Sequence, residues 1–162
     1  MAISRPAMAI GLALLCLGAL AARGEPDHEG AKKLITVRLE PTRYNAGRSG
    51  TALLVAVGDQ TGITLTMSGV PAFTSRPIHL ASTLFEGSCE NRNPGKKHAL
   101  NDHVLAESIV HPQDMGAING PVRITHRVAL PFEKLRTTPF AISVRLTPAD
   151  GNQEIFCGNS PR

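Results

Sequence analysis

The chain has 162 residues, with 17 Lys+Arg against 13 Asp+Glu, five Phe, one Tyr and no Trp. Two of the seventeen basic residues, Arg5 and Arg23, lie in an N-terminal leader, so fifteen face thirteen acidic residues in the rest of the chain. A nucleic-acid binder gathers its basic residues on one face and adds stacking aromatics, whereas Lys32-Lys33, Lys96-Lys97 and single arginines are scattered here, which argues against that class.

The leader has the three parts of a secretory signal peptide. Arg5 supplies a basic start, an unbroken apolar run extends from Ala7 to Ala22, and the small-residue patterns Ala19-Leu-Ala21 and Ala22-Arg-Gly24 precede the polar stretch from Glu25. The run holds about 16 residues, short of the ~20 that cross a bilayer, so cleavage is expected in place of anchoring. Leu15 before Cys16 lacks the small side chain that lipid attachment there would need. Residues 1–24 are thus expected to be removed, 25–33 to form a polar, flexible arm, and 34–162 to fold as one domain. About 140 residues suffice for a real core. The compartment is periplasmic or extracellular, with no membrane attachment after cleavage.

From Leu34 the pattern is period-two alternation, the signature of strands. Predicted strands run over Leu34–Leu39, Thr51–Val57, Ile63–Ser68, Ile78–Phe85, Val104–Val110, Val122–Val128, Phe140–Thr147 and Glu154–Gly158. Gly58-Asp-Gln-Thr-Gly62 reads as a five-residue hairpin linker. Asn45-Ala-Gly47, Asn93-Pro-Gly95, Asn119-Gly-Pro121 and Ala149-Asp-Gly-Asn152 read as turns. The one helical candidate is the short Pro131–Arg136. Eight short strands with turn chemistry between them make an all-β, antiparallel β-sandwich or barrel.

With Cys16 removed, Cys89 and Cys157 are the remaining cysteines. In an oxidising compartment two such cysteines favour a structural disulfide over two free thiols. The loop closed is close to 70 residues, a constraint of roughly 4 kcal/mol in the chain-entropy account.

Leu65-Thr-Met-Ser-Gly-Val-Pro71 followed by Pro77-Ile-His-Leu-Ala-Ser-Thr-Leu-Phe-Glu-Gly-Ser-Cys89 resembles the copper/zinc superoxide dismutases, where a strand with the pattern Gly-x-His-Gly-Phe-His-x-His leads, in the bacterial exported branch, to Ser-Cys. Ile155-Phe-Cys157-Gly158 is similar to that family's closing Ala-Cys-Gly strand, which carries the partner cysteine. The resemblance implies a Greek-key β-sandwich or flattened barrel of about eight strands and a Cys89–Cys157 disulfide. It also implies where copper ligands would stand. Counted back without a gap from Cys89, His79 takes the place of the first histidine, which is not a copper ligand in the family. The copper-binding positions hold Ser82 and Leu84, and Ala141-Ile-Ser-Val-Arg145 lacks the later histidine. Copper needs converging imidazoles. The segment from Cys89 to Val122 is also short for the family's zinc and charge-steering loops. The dismutase chemistry is therefore not expected, and the enzyme reading leans to no.

Other chemistry has weaker signals. His98, Asp102, His103 and His111 are candidate ligands for zinc or copper, since His and Asp suit borderline metals; their spacing matches no established motif, Lys96-Lys97 opposes a cation, and exposed loop histidines are the plainer reading. His126, beside Arg127, reads as a surface residue. Arg38, Arg123, Arg127 and Arg145 alternate with apolar residues, which fits solvated sheet faces better than an anion site. Neither a nucleophile elbow nor a phosphate-cradling glycine loop is present. The expectation is an exported, non-catalytic binding or structural module with no cofactor and an unidentified protein or small-ligand partner. The alternative is a periplasmic zinc- or copper-binding protein or a divergent dismutase.

Overall fold

Which side chains alternate inward decides the architecture. The computed structural model describes the backbone of residues 34–105, 107–108 and 120–161, and the side chains of all of these except 101–105 and 107–108. The leader 1–24, the arm 25–33 and His111 lie outside the described residues. The strands are β1 (Leu34–Pro41), β2 (Gly50–Val57), β3 (Gln60–Met67), β4 (His79–Gly87), β5 (Arg92–Leu105), β6 (Glu107–Ser108), β7 (Val122–Val128), β8 (Phe140–Leu146) and β9 (Glu154–Asn159), with helix α1 (Phe132–Thr137) between β7 and β8.

All pairings are antiparallel, in the order β5-β4-β8-β9-β1-β2-β3-β7-β6. The sheet curls because two strands change partner along their length. β1 pairs with β2 through Leu34–Leu39 and then with β9 through Glu40 and Pro41. β5 pairs with β4, and β6, which begins at Glu107 just after β5 ends, pairs with β7. The first and last strands of the order are thus consecutive in the chain. β4, β5–β6 and β7 are successive neighbours and β8 returns beside β4, which is a Greek key.

The inner faces make one apolar core. β1 buries Ile35, Val37 and Leu39, β3 buries Ile63, Leu65 and Met67, β4 buries Leu80 and Leu84, and β8 buries Phe140, Ile142, Val144 and Leu146. β7 alternates without exception, Val122, Ile124, His126 and Val128 inward and Arg123, Thr125 and Arg127 outward. Where the sheet folds from β9 to β1, Gly158 leaves no room: a Cβ there would lie 2.3 Å from the Arg38 carbonyl oxygen and 2.8 Å from Val37 Cγ1.

Three expectations change. The β2–β3 linker is a two-residue turn, Gly58-Asp59, because Val57 pairs with Gln60. The strand expected at 104–110 starts at Arg92. Its first half is polar because residues 93–97 are exposed, so no alternation marks it. Asn93-Pro-Gly95, read as a turn, is extra length inside this strand: Phe85 opposes Lys97 and Gly87 opposes Arg92, so β5 spends more residues than β4 over the same stretch. Proline and glycine are tolerated in strands at such irregularities.

Replacing Gly158 by alanine forces backbone movement at the fold between β9 and β1, and overpacking of this kind costs about 1–3 kcal/mol. Urea unfolding of Gly158→Ala against the parent reads that loss.

Candidate functional site

The disulfide joins Cys89, in the β4–β5 connection, to Cys157 on β9. Ser143 and Glu40 flank Cys157 in register on the neighbouring strands, and Thr83 stands beside Ser143 on β4, so the bridge lies on the outer face of the sheet. The 88–92 connection is folded onto that face. The Cys89 N–H donates to Asn159 Oδ1 at 2.7 Å. Arg92 Nε donates to the Cys89 carbonyl at 3.0 Å, and its Nη2 pairs with Glu154 Oε2 at 2.8 Å while lying 3.5 Å from Cys157 Sγ. The guanidinium stands 5.4 Å from the Phe85 ring centroid. Glu154 also accepts a hydrogen bond from the Ser143 hydroxyl. With side chains about a fifth to a quarter exposed, Arg92 and Glu154 form a partly desolvated, multiply bonded pair that pins the connection beside the bridge.

The residues matched to copper ligands face the other way. Ser82 and Leu84 lie on the inner side of β4, opposite Val144 and Ile142, with Leu84 in the apolar core. Of the metal-ligand candidates, His98 is half-buried on β5 opposite Leu84, so it stands on a strand and not in a loop. Asp102 and His103 follow on the same strand, between the pairs Asn101–Ser82 and Val104–Leu80 where the register shifts; their side chains and all of His111 lie outside the described residues. Among the described residues, no group of three or more His, Cys, Asp or Glu side chains is placed to hold a metal ion.

A cavity of about 240 Å³ opens at one end of the barrel. One wall is the β4–β5 segment, with Leu84, Glu86, Lys96, Lys97 and His98, and the other is the β7–β8 connection, with Leu130, Lys134, Leu135, Thr138, Pro139 and Phe140. Leu84, Leu130, Leu135 and Phe140 make an apolar floor, all deeply buried. The two walls are tied at the rear by the Gly87 N–H donating to the Pro139 carbonyl at 2.9 Å. Gly87 has φ 109°, and a Cβ there would meet the Asn91 carbonyl oxygen at 2.3 Å, so only glycine closes this corner. Lys96 bridges to Glu86 at 2.9 Å on the rim. The cavity joins residues from segments far apart in sequence, which is why no motif announced it.

His126 corrects the surface reading: it is 6% exposed, on the inner face of β7 opposite Ile63. Its Nε2 finds no hydrogen-bond partner among the described residues, and burial pushes its pKa down to about 4. The signal was available, since Val122, Ile124 and Val128 set the inward phase that His126 shares. Arg38, Arg123 and Arg127 are exposed on the outer face of β1–β2–β3–β7, with Arg38 bridged to Glu40 at 2.8 Å, while Arg145 on β8 bonds Asn152.

No protein-family model matches the chain, and neither a curated protein nor a solved structure does.

Two outcomes follow. Removing the bridge by Cys89→Ser with Cys157→Ser costs roughly 4 kcal/mol in urea unfolding. For His126, the unfolded imidazole protonates near its ordinary 6.5 and the folded one only near 4, so its contribution is intact above pH 6.5 and is lost as pH falls toward 4. Between about pH 7.5 and pH 4 this removes about 2–3 kcal/mol, a component that disappears from the pH series in His126→Leu.

Proposed function

We propose that this chain is an exported, non-catalytic binding module that uses a disulfide-braced β-barrel, similar to the scaffold of the copper/zinc superoxide dismutases, to present a small ligand cavity. The observation that carries the reading is the amphipathic cavity at the barrel end, with its buried leucine and phenylalanine floor and polar rim. Binding sites are typically concave, mostly apolar and furnished with a few polar groups that orient the ligand. The inward packing of Leu84 and Ser82 supports the non-dismutase half of the proposal, because a core leucine offers a metal no lone pair. The bridge supports an oxidising compartment and hence export, as the signal-peptide pattern of the first 24 residues does. Metal binding through His98, Asp102, His103 and His111 is the competing reading, and Lys96 and Lys97 beside His98 weigh against it.

The test is metal content and copper/zinc titration of the oxidised chain lacking residues 1–24, with a superoxide assay on the same sample. The proposal expects no stoichiometric metal and no consumption of superoxide above buffer. About one copper per chain with enzyme-like turnover would overturn it. Zinc or copper held without turnover, and released by replacing the four candidate ligands with alanine, would establish the competing reading.

A further inference from the structure

The cavity's inward-facing side chains say more about its ligand, on the premise, taken from the proposed function, that the module binds one. Strand register sorts the β4–β5 wall into two faces. His98 stands opposite Leu84 and shares its inward phase, whereas Lys97 stands opposite Phe85 in the outward phase. Glu86 continues the inward phase beside Phe140, and its carboxylate is paired with Lys96 at 2.9 Å. The group left uncommitted over the floor is the His98 imidazole, half-buried and without a hydrogen-bond partner among the described residues.

The floor of Leu84, Leu135 and Phe140 is hydrocarbon, so the buried part of the ligand is apolar. An apolar cavity of about 150 Å³ takes a benzene-sized ring, and the cavity of about 240 Å³ has room for such a ring with one substituent. A neutral imidazole carries one N–H donor and one acceptor nitrogen. A hydroxyl, which both donates and accepts, pairs with either. A carboxylate or an ammonium would set a charge on hydrocarbon where the inward-facing ion pair, Glu86 with Lys96, is already satisfied within itself.

We propose that the barrel-end cavity takes a small uncharged hydroxy compound, a phenol or a short alcohol, with its hydrocarbon against Leu84, Leu135 and Phe140 and its hydroxyl hydrogen-bonded to His98.

The probes are phenol and toluene, alike in shape and different in carrying a hydroxyl or a methyl group. They are titrated into the oxidised, isotope-labelled chain lacking residues 1–24 and followed by chemical shifts. Both are expected to move the amide resonances of Leu135 and Thr138 and to leave those of the outer-face residues Thr51 and Thr66 still. In the parent, phenol is expected to move the His98 ring-nitrogen resonances by more than toluene does. His98→Leu is expected to weaken phenol relative to toluene by about three- to tenfold, with toluene binding retained. Equal ring-nitrogen shifts from the two probes, or a phenol-to-toluene ratio unchanged in His98→Leu, overturns the hydroxyl assignment and leaves the binding-module reading standing. Shifts at the cavity from neither probe overturn both.

Discussion

The Cys89–Cys157 bridge is the constraint on which the β4–β5 wall, and with it the barrel-end cavity, depends. It holds the 88–92 connection against the outer face of β9, and Arg92 consolidates the same point by binding the Cys89 carbonyl and Glu154 together. What emerges from that connection is β5, whose first half is polar and exposed and has little apolar surface of its own with which to hold a position. β5 nevertheless supplies one wall of the barrel-end cavity and, continued as β6, the strand that meets β7. A covalent tie and a partly desolvated ion pair thus do for this segment what hydrophobic burial does for β1, β3 and β8.

Charge and burial divide the molecule into regions with different tasks. The interior is hydrocarbon apart from a few polar groups. Thr61 is satisfied by the Leu130 carbonyl at 2.7 Å, and that bond also steadies the connection forming the cavity's second wall. His126 is one of the exceptions: among the described residues its Nε2, like Thr74 Oγ1, has no hydrogen-bond partner, and burial favours the neutral imidazole. The outer faces carry the arginines. The cavity is where a hydrocarbon floor and a polar rim meet.

Much of the fold was legible because its strands obey period-two alternation. Val122–Val128 coincides with its expected limits, and β1, β2, β8 and β9 differ from theirs by a residue or two. The failures have separate causes. β5 was hidden because an edge segment facing solvent need not alternate, and Asn93-Pro-Gly95 carries turn chemistry that serves a strand irregularity equally well. His126 was misread because its neighbour Arg127 drew attention from the phase set by Ile124 and Val128. The cysteine pair was readable from the number of cysteines and the export expected from the leader, but nothing local in the sequence pointed to Arg92 and Glu154 beside it, 62 positions apart. The cavity was illegible for the same reason: its two walls meet only when the Greek key closes.

The account's central claim is that the bridge and its ion pair hold the β4–β5 wall in place while the barrel's core stands on its own packing. Amide hydrogen exchange of the chain lacking residues 1–24, oxidised against reduced, tests this most directly. The account predicts that reduction costs β1, β3 and β8 only the common loss of global stability, roughly 4 kcal/mol, and accelerates exchange across residues 86–100 beyond that. Unchanged protection over 86–100, or an equal acceleration there and in β1, β3 and β8, would contradict it.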